Sequence, residues 1–327
     1  MVRKDADGKV AAGIERITVA DLPPGDVLIR VAYSSLNFKD ALATQAHPGV
    51  VRSLPHVPGI DCAGTVEEST SPDYHAGDEV LVTGYDLGAA HWGGYAEFVR
   101  VPAEWIVPLP KGLTVRDAMI YGTAGFTAAQ CVTAIVDREI GPERGPIVVT
   151  GATGGVGSIA VAILAKLGYD VEAVTGKPEH HDLLRRLGAK TILGRDEVID
   201  TTDRPLLAAR WAAAVDTVGG QPLATILRSL EYRGCVAACG LVAGLEFSAT
   251  VYPFILRGIT LAGIDSSKCP RPERMEMWQK LSGSWHIAQL DDLVDEITLD
   301  ELPDRVQKIL AGKIVGRTIV APRTAKV

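Results

Sequence analysis

The sequence predicts an α/β fold: a doubly wound parallel sheet of six strands, joined to a separate, compact, barrel-like β domain. Three observations predict it. From about residue 118 onward, short apolar strand-like runs alternate with longer apolar runs of helical length, which is the pattern of a parallel sheet covered on both faces. The turn GATGGVG (151–157) stands between the first of these strands and the first of these helices. Before it, from about residue 27 to 110, the chain reads as short β-rich segments broken by Gly, Pro, Asp and Ser, namely VLIRVAYSSLN, PGIDCAGTVEES, GDEVLVTGY and GGYAEFVRVPAEWIVPLP.

Taken in order, the six strands are expected at 147–150, 171–175, 191–193, 213–217, 235–239 and 259–264, with SIAVAILAKLG and QPLATILRSLEY among the crossover helices. The helical stretch RMEMWQKLSG and the strand-like GRTIVAP follow, and a last strand that returns to the β domain is expected. The implied organisation is 1–117 for the β domain, 118–268 for the doubly wound domain and 269–327 for the C-terminal return. No internal repeat or low-complexity segment interrupts it.

With 327 residues, 47% of them hydrophobic and 22% charged, the chain is long enough for two domains with separate cores. A net charge of −7 argues against nucleic acid as a partner, because phosphate backbones are bound by clustered Lys and Arg. The first residues, MVRKDADGK, lack a signal-peptide h-region, and no apolar run is read as reaching a membrane span, so a cytoplasmic protein without a membrane partner is expected. The five cysteines, at 62, 131, 235, 239 and 269, are too scattered for a disulfide framework or a zinc cluster. Cys235 and Cys239, four apart in a strand, share one face, most simply a buried one.

Unpaired N–H groups and a positive dipole at a helix N-terminus can hold an anion, provided the turn lets it approach. Gly154, Gly155 and Gly157 give that access. The usual fingerprint G-x-G-x-x-G is altered here, since Ala152 stands at position two and the close-approach glycine has moved. Even so, its place between the first strand and the first helix identifies a dinucleotide pyrophosphate as the expected ligand. An acid at the end of the second strand would accept from a free ribose 2′-OH, but this strand ends Thr175-Gly176-Lys177, which favours NADP(H). Glu172 lies earlier and reads as a solvated or helix-facing charge; Arg195 is either a second cation for the 2′-phosphate or a solvated loop residue.

In combination, SSLNFKD (34–40), VPGIDCAGTV (57–66), HWGGYAEF (91–98), IYGTAGFTA (120–128), DTVGG (216–220), CVAACGL (235–241) and PFILRGITLAGIDS (253–266) resemble the acrylyl-CoA reductase group. That group falls among the zinc-independent medium-chain dehydrogenase/reductases, in the quinone oxidoreductase-like superfamily. The resemblance implies a GroES-like catalytic domain, a Rossmann NADP-binding domain and a C-terminal return. The opening MVRKDADGK reads as shorter than the first strand of the family. Where the zinc-dependent branch carries Gly-His-Glu, Gly59-Ile60-Asp61 stands here, and a four-cysteine lobe is missing from the sequence, so no catalytic metal is expected. The chemistry implied moves from alcohols to activated double bonds.

Carried over position by position, the resemblance implies that Thr153, Gly154, Gly155 and Val156 hold the pyrophosphate, and that Thr175, Gly176, Lys177 and Arg195 surround the 2′-phosphate. It also implies that Leu241, Ile255 and Ser266 line the nicotinamide side, that Arg317 closes over the cofactor, and that Phe38 packs on the nicotinamide pocket. Asn37, Asp40 and Thr127 are either cleft residues or partners of local backbone. The implied reaction is NADPH-dependent reduction of acrylyl-CoA to propanoyl-CoA. It requires a hydride at the β-carbon, donors for the charge that develops on the thioester oxygen, and a proton for the α-carbon.

No catalytic residue stands out from the sequence. Tyr85 is a candidate acid or a packing residue, and His91 either orients substrate or caps a turn. Lys39, Arg52, Arg257, Lys268 and Arg271 are candidate contacts for the CoA phosphates, or surface charges. His180 and His181 read as the polar start of a solvated helix. Two other functions remain open at this point: a quinone or enone reductase, and a dinucleotide-binding protein with little turnover. A homodimer through the sixth strand is the superfamily expectation.

Overall fold

Alternation of apolar and polar side chains builds the β-rich part of the chain, because a strand with one face on a core must turn every second residue inward. The computed structural model describes residues 1–5 and 7–322. Its first elements are the antiparallel pair β1 (Val2–Lys4) and β2 (Val10–Ala12), tied down by a bridge between Val2 and His56. Then come β3 (Val27–Ser35), α1 (Phe38–Thr44), β4 (Asp61–Ser69), β5 (Glu79–Thr83), β6 (Phe98–Val101) and β7 (Val107–Pro108). Val27, Ile29 and Val31 of β3, Val66 of β4, Val80 and Val82 of β5, and Val99 and Val101 of β6 point into one core.

The 22-residue α2 (Val115–Val136) ends this part of the chain, and Gly122 breaks it with φ 50° and ψ −156°. The division between two compact units falls right after that break, between Thr123 and Ala124. By length and mean hydropathy α2 is apolar enough to cross a membrane, contrary to the sequence reading, which saw no run of that size. Its window is 72% buried inside the protein, which is how a core helix satisfies the same apolar surface.

The second unit opens with β8 (Ile147–Val149), α3 (Gly155–Lys166), β9 (Val171–Val174), α4 (His181–Arg186) and β10 (Thr191–Leu193). It continues with β11 (Trp211–Asp216), α5 (Gly220–Ser229), β12 (Leu230–Ala238), α6 (Tyr252–Arg257) and β13 (Thr260–Gly263). All pairings are parallel in the order β10-β9-β8-β11-β12-β13, so the chain reverses direction across the sheet between β8 and β11. β12 starts at Leu230 rather than at 235 as expected: Trp211 pairs Leu230, the register then shifts, and Ala213 pairs Cys235. Arg233, at φ 59°, sits in the irregular stretch between those pairings.

The remaining elements are α7 (Arg271–Ser282), β14 (Val294–Thr298), α8 (Leu302–Leu310) and β15 (Arg317–Ala321). β15 pairs antiparallel with β3, and β14 pairs parallel with β15, which gives the first unit a seven-stranded sheet. The tail after residue 269 is divided rather than a single return: Ser267–Ser282 and the described part of Leu293–Val327 group with the first unit, whereas Gly283–Asp292 groups with the second.

Candidate functional site

In the second unit, β8 feeds the turn Gly151 to Gly154 and then α3, with Gly154 as its N-cap. The backbone is tightly folded here. Gly151 has φ +58°, and a Cβ on it would strike the Thr217 hydroxyl. A Cβ on Gly157 would strike the Gly151 carbonyl, so the third glycine lets the first turn of α3 pack against the turn before it. The Gly154 N–H bonds Gly151 O at 2.8 Å, and the first N–H groups of α3 have no partner within the helix. This is a cradle for an anion, and a pyrophosphate fits it.

Thr153, 5% exposed, hydrogen-bonds its hydroxyl to that of Thr175 at 3.2 Å, and the Lys177 N–H donates to Thr175 Oγ1 at 3.1 Å. Two expected phosphate contacts therefore also brace the turn against the end of β9. At Gly176 a Cβ would lie 2.5 Å from Arg195 Nε and 2.8 Å from its Cζ, so the guanidinium lies flat on the glycine. Burial, and then Arg195 beside it, hold the Lys177 ammonium below its usual range. Two cations meeting at one strand end favour an anion between them. Glu172 is engaged elsewhere: its Oε2 accepts from Arg210 Nη2 at 3.0 Å and from Trp211 Nε1 at 2.8 Å, as a carboxylate locked into the sheet.

At the ends of β12 and β13, an open pocket of ≈ 500 Å³ is lined by Ala238, Cys239, Gly240, Leu241, Gly263, Ile264 and Asp265. Leu241 is 52% exposed, Ile255 on α6 is 70% exposed, and Ser266 is half-buried. Beneath the pocket, buried Asp216 accepts from Thr150 Oγ1 at 2.8 Å and from Gly219 N at 2.8 Å, fixing the DTVGG turn. Burial pushes its carboxyl above the ordinary carboxylate range.

The first unit holds a polar cluster that sequence reading did not assemble. Asp61 Oδ2 accepts from Ser35 Oγ at 2.6 Å, Asn37 Nδ2 at 2.8 Å and Thr123 N at 2.9 Å, while Asp61 Oδ1 accepts from Thr123 Oγ1 at 2.5 Å. Asp40 Oδ1 accepts from Gly59 N at 3.1 Å and Ile60 N at 2.8 Å, and its Oδ2 accepts from Asn37 N at 2.8 Å. Asp40 is thus at once the capping acid of α1 and a clamp on the loop before β4. Burial, and secondarily the nearby Asp61, push its carboxyl up to about 7. Burial, and then the same two carboxylates, hold the Tyr95 hydroxyl well above its usual range, with its O–H donating to Ser35 O at 3.3 Å.

Arg317, expected to close over a cofactor, is 3% exposed and engaged within this cluster. Its guanidinium donates to Ile120 O at 2.8 Å, Ser35 Oγ at 2.9 Å, Asn37 Oδ1 at 3.2 Å and Leu36 O at 3.4 Å. A cation so buried is held by its fixed acceptors, and Ser35 and Asn37 relay it to Asp61. Gly122 makes room for this arrangement: its Cβ would lie 2.6 Å from Asp61 Oδ2, 2.7 Å from Ser35 Oγ and 2.9 Å from Arg317 Nη2. One signal was available, because Asp61 ends the segment Gly59-Ile60-Asp61 that stands where the zinc-dependent branch carries Gly-His-Glu.

Phe38 is the first residue of α1 and half-buried, and Thr127, on α2 in the second unit, is 6% exposed. Tyr85 takes φ 53°, stacks on Trp105 at 5.6 Å and lies under the Arg274 guanidinium at 4.3 Å, so its ring is a packing element. The His91 ring shares its Nδ1 with Trp92 O at 2.9 Å and meets Trp105 edge-on. Among the basic candidates, Arg257 donates to Arg228 O and Leu230 O, and Arg271 to Ile106 O and Tyr74 Oη, which makes both structural. Lys268 pairs with Asp86 at 3.1 Å. Among the described residues, no three of His, Cys, Asp and Glu gather as a metal-binding group.

Two family models match the chain: the alcohol dehydrogenase GroES-like domain over residues 23–111 and the zinc-binding dehydrogenase over 155–283. The acrylyl-CoA reductase AcuI of Ruegeria pomeroyi is 48% identical over 321 residues, covering 98% of this chain and 97% of that protein. The putative quinone oxidoreductase YhfP of Bacillus subtilis is 48% identical over 318 residues, covering 97% and 96%. The crystal structure of E. coli K-12 YhdH with bound NADPH superposes with a TM-score of 0.95 at 47% identity, covering 98% of this chain and 99% of that one.

Proposed function

We propose, for a chain that belongs to the acrylyl-CoA reductase group of the medium-chain dehydrogenase/reductase superfamily, the NADPH-dependent reduction of acrylyl-CoA to propanoyl-CoA. The observation that carries the cofactor half of this reading is the pair of cations at the end of β9, where Arg195 lies on Gly176 and adds to the burial that holds the Lys177 ammonium down. A 2′-phosphate would add a negative charge between these two cations, and a plain ribose would not. Thr153, Gly154, Gly155 and Val156 would hold the pyrophosphate, Thr175, Gly176, Lys177 and Arg195 the 2′-phosphate, and Leu241, Ile255 and Ser266 would flank the nicotinamide.

When bound, NADPH supplies a hydride for the β-carbon of the enoyl thioester. The chain's own task is to orient that carbon and to direct donors at the thioester oxygen as charge develops there. Asn37, held at both ends by Arg317 and Asp61, is the rigid core of the first unit's polar cluster, and Phe38 follows it at the start of α1. We assign the cluster a positioning role: it fixes the 35–40 segment. The proton for the α-carbon has no assigned donor.

The proposed partner is a second copy of this chain. Leu245 (80% exposed), Val251 (67%) and Val242 (63%) are exposed apolar residues in the segment that leads from β12 to α6, ahead of the terminal strand β13 of the sheet. Light scattering that returned a monomer would remove the homodimer. The proposed compartment is the cytoplasm, where NADPH and CoA thioesters occur and free thiols such as these five stay reduced.

Turnover of acrylyl-CoA, crotonyl-CoA and 1,4-benzoquinone, each with NADPH and NADH, tests the reading. Acrylyl-CoA with NADPH is expected to give the highest kcat/KM, and the extra methyl of crotonyl-CoA should cost about 10-fold or more. A higher kcat/KM for benzoquinone would replace this reading with that of a quinone reductase.

A further inference from the structure

The buried acid at the end of β11 stands where the strand order of the second unit reverses. β8 and β11 are neighbours there, and the crevice beyond the ends of two such strands is where a doubly wound sheet takes its ligand. A hydrogen-bond network ties these two ends together. Thr150, the residue after β8, donates its hydroxyl to Asp216 Oδ1 at 2.8 Å and accepts the Thr217 N–H on the same oxygen at 2.9 Å. The Thr217 hydroxyl in turn donates to Thr150 O at 2.8 Å, and it lies against Gly151 where a Cβ would stand. Thr150 and Asp216 are both buried.

The other side of Asp216 meets the loop after β12. Its Oδ2 accepts from Gly219 N at 2.8 Å, and its backbone carbonyl accepts from Cys239 N at 2.9 Å. Cys239 was expected to share a buried face with Cys235; it is partly exposed because β12 ends at Ala238. Val218 O accepts from Ala243 N at 2.8 Å, Gly219 bridges Gly244, and Gly240 lies so close to the Thr217 carbonyl that a Cβ would strike it. The DTVGG turn therefore touches the glycine turn on one side and residues 239–244 on the other. The glycine turn has a second brace that does not involve Asp216. Ala152 N donates to Val174 O at 3.0 Å, and Thr153 pairs with Thr175, both toward β9.

We propose that Thr150 and Asp216 are positioning residues that hold the two halves of the cofactor site in register, the pyrophosphate turn on the β8 side and the nicotinamide side at Leu241. They act through the loops they join rather than on the reacting atoms. A buried carboxyl costs stability unless its oxygens are filled. One oxygen is filled by the turn after β8 and the other by the acid's own turn, so both bonds form only at one placement of the two turns. The backbone bonds to Cys239 and Ala243 carry that placement to the third loop. A dinucleotide held at both ends needs the spacing set before it arrives, since loops that are ordered only on binding take their ordering cost out of the affinity. A ligand confined to the β9 side of the glycine turn does not need it. The inference rests on the assignment of the pyrophosphate to 153–156 and of Leu241 to the nicotinamide side.

The test titrates the full-length protein with two ligands: NADPH, and adenosine 2′,5′-bisphosphate, which carries the 2′-phosphate and a 5′-phosphate but no nicotinamide. Thr150→Val keeps the shape of the side chain and removes both hydroxyl bonds. Its NADPH affinity is expected to fall about tenfold or more, while its affinity for the bisphosphate stays within about twofold of the wild type. Thr150→Ser restores the hydroxyl and should recover NADPH binding. Asp216→Asn, which keeps an acceptor for Thr150 but sets its amide against the Gly219 N–H, should show the same split between ligands, and it decides the matter if Thr150→Val does not fold. Equal losses for both ligands would reduce the network to a brace of the fold. Unchanged affinity for both, or a Thr150→Ser variant no better than Thr150→Val, would leave it no part in binding; each of these results overturns the proposal. A wild-type protein that fails to bind NADPH would instead remove the cofactor assignment, and the inference with it.

Discussion

In the first unit, Asp40, Asp61 and Arg317 are buried against one another and every bond among them is made inside the protein, through Ser35, Asn37 and Thr123. In the second, the polar groups that matter stand at the ends of strands: the first N–H groups of α3, and the cations Lys177 and Arg195. The first arrangement is complete without a ligand and holds its segment rigid. The second has like charges and unpaired donors facing one region, a state that an anion stabilises. Internal satisfaction therefore marks a scaffold, and like charges gathered at a strand end mark a binding site.

The largest expected effect breaks the scaffold. Gly122→Ala would place a methyl group on three polar atoms at a residue with φ +50°, costing about 3–5 kcal/mol from strain and overpacking together. Chemical denaturation should show it as a lowered midpoint; a midpoint unchanged from the wild type would mean that the cluster has slack.

Next in size, Gly155→Asp should abolish NADPH binding, with a loss of at least about 3 kcal/mol, and leave the fold intact. An acid in the first turn of α3 favours the helix dipole while it repels a phosphate, so binding and stability should part company. Isothermal titration beside a melting curve reads both. Binding as tight as wild type would remove the phosphate from this turn.

Asp40 makes the stability of the first unit depend on pH. Its folded carboxyl keeps the proton up to about 7, against 3.8 for the ordinary group, so the folded state binds more protons across that window. The contribution is complete below the lower value and is lost as pH rises through the upper one. From about pH 5 to 8 the stability should fall by about 2–3 kcal/mol from this group, and Asp40→Asn should flatten that part of the curve. An identical slope in the variant would show that other groups set it.

The smallest effect sharpens the binding half. Lys177→Asp should narrow the preference for NADPH over NADH by about 10- to 100-fold, the worth of one charge-assisted contact of about 1.5–3 kcal/mol. It should leave unfolding by denaturant nearly unchanged, because the side chain is half exposed. Steady-state kinetics with both cofactors would show it.

How much of this could be read before folding depended on whether the signal was local. The six strands of the second unit and the turn 151–157 are written in runs of consecutive residues, since period, glycine and apolar length act within one element. Thr175, Gly176 and Lys177 were legible for the same reason: an acid is simply missing from a strand end. Tyr85 was not, because its role as a packed ring was set by Trp105 and Arg274, 20 and 189 residues away.

By itself, then, the sequence determined the doubly wound sheet and the returning strand, both of which follow from local backbone preference and patterning. The tertiary structure alone decided that Arg317 sits in a buried network, that Gly122 must be a glycine, and that Asp40 holds its proton near neutrality. The reason is the same in each case. Desolvation and hydrogen bonding depend on which atoms surround a group, and here those atoms come from chain segments tens to hundreds of residues apart that meet only when the sheets close.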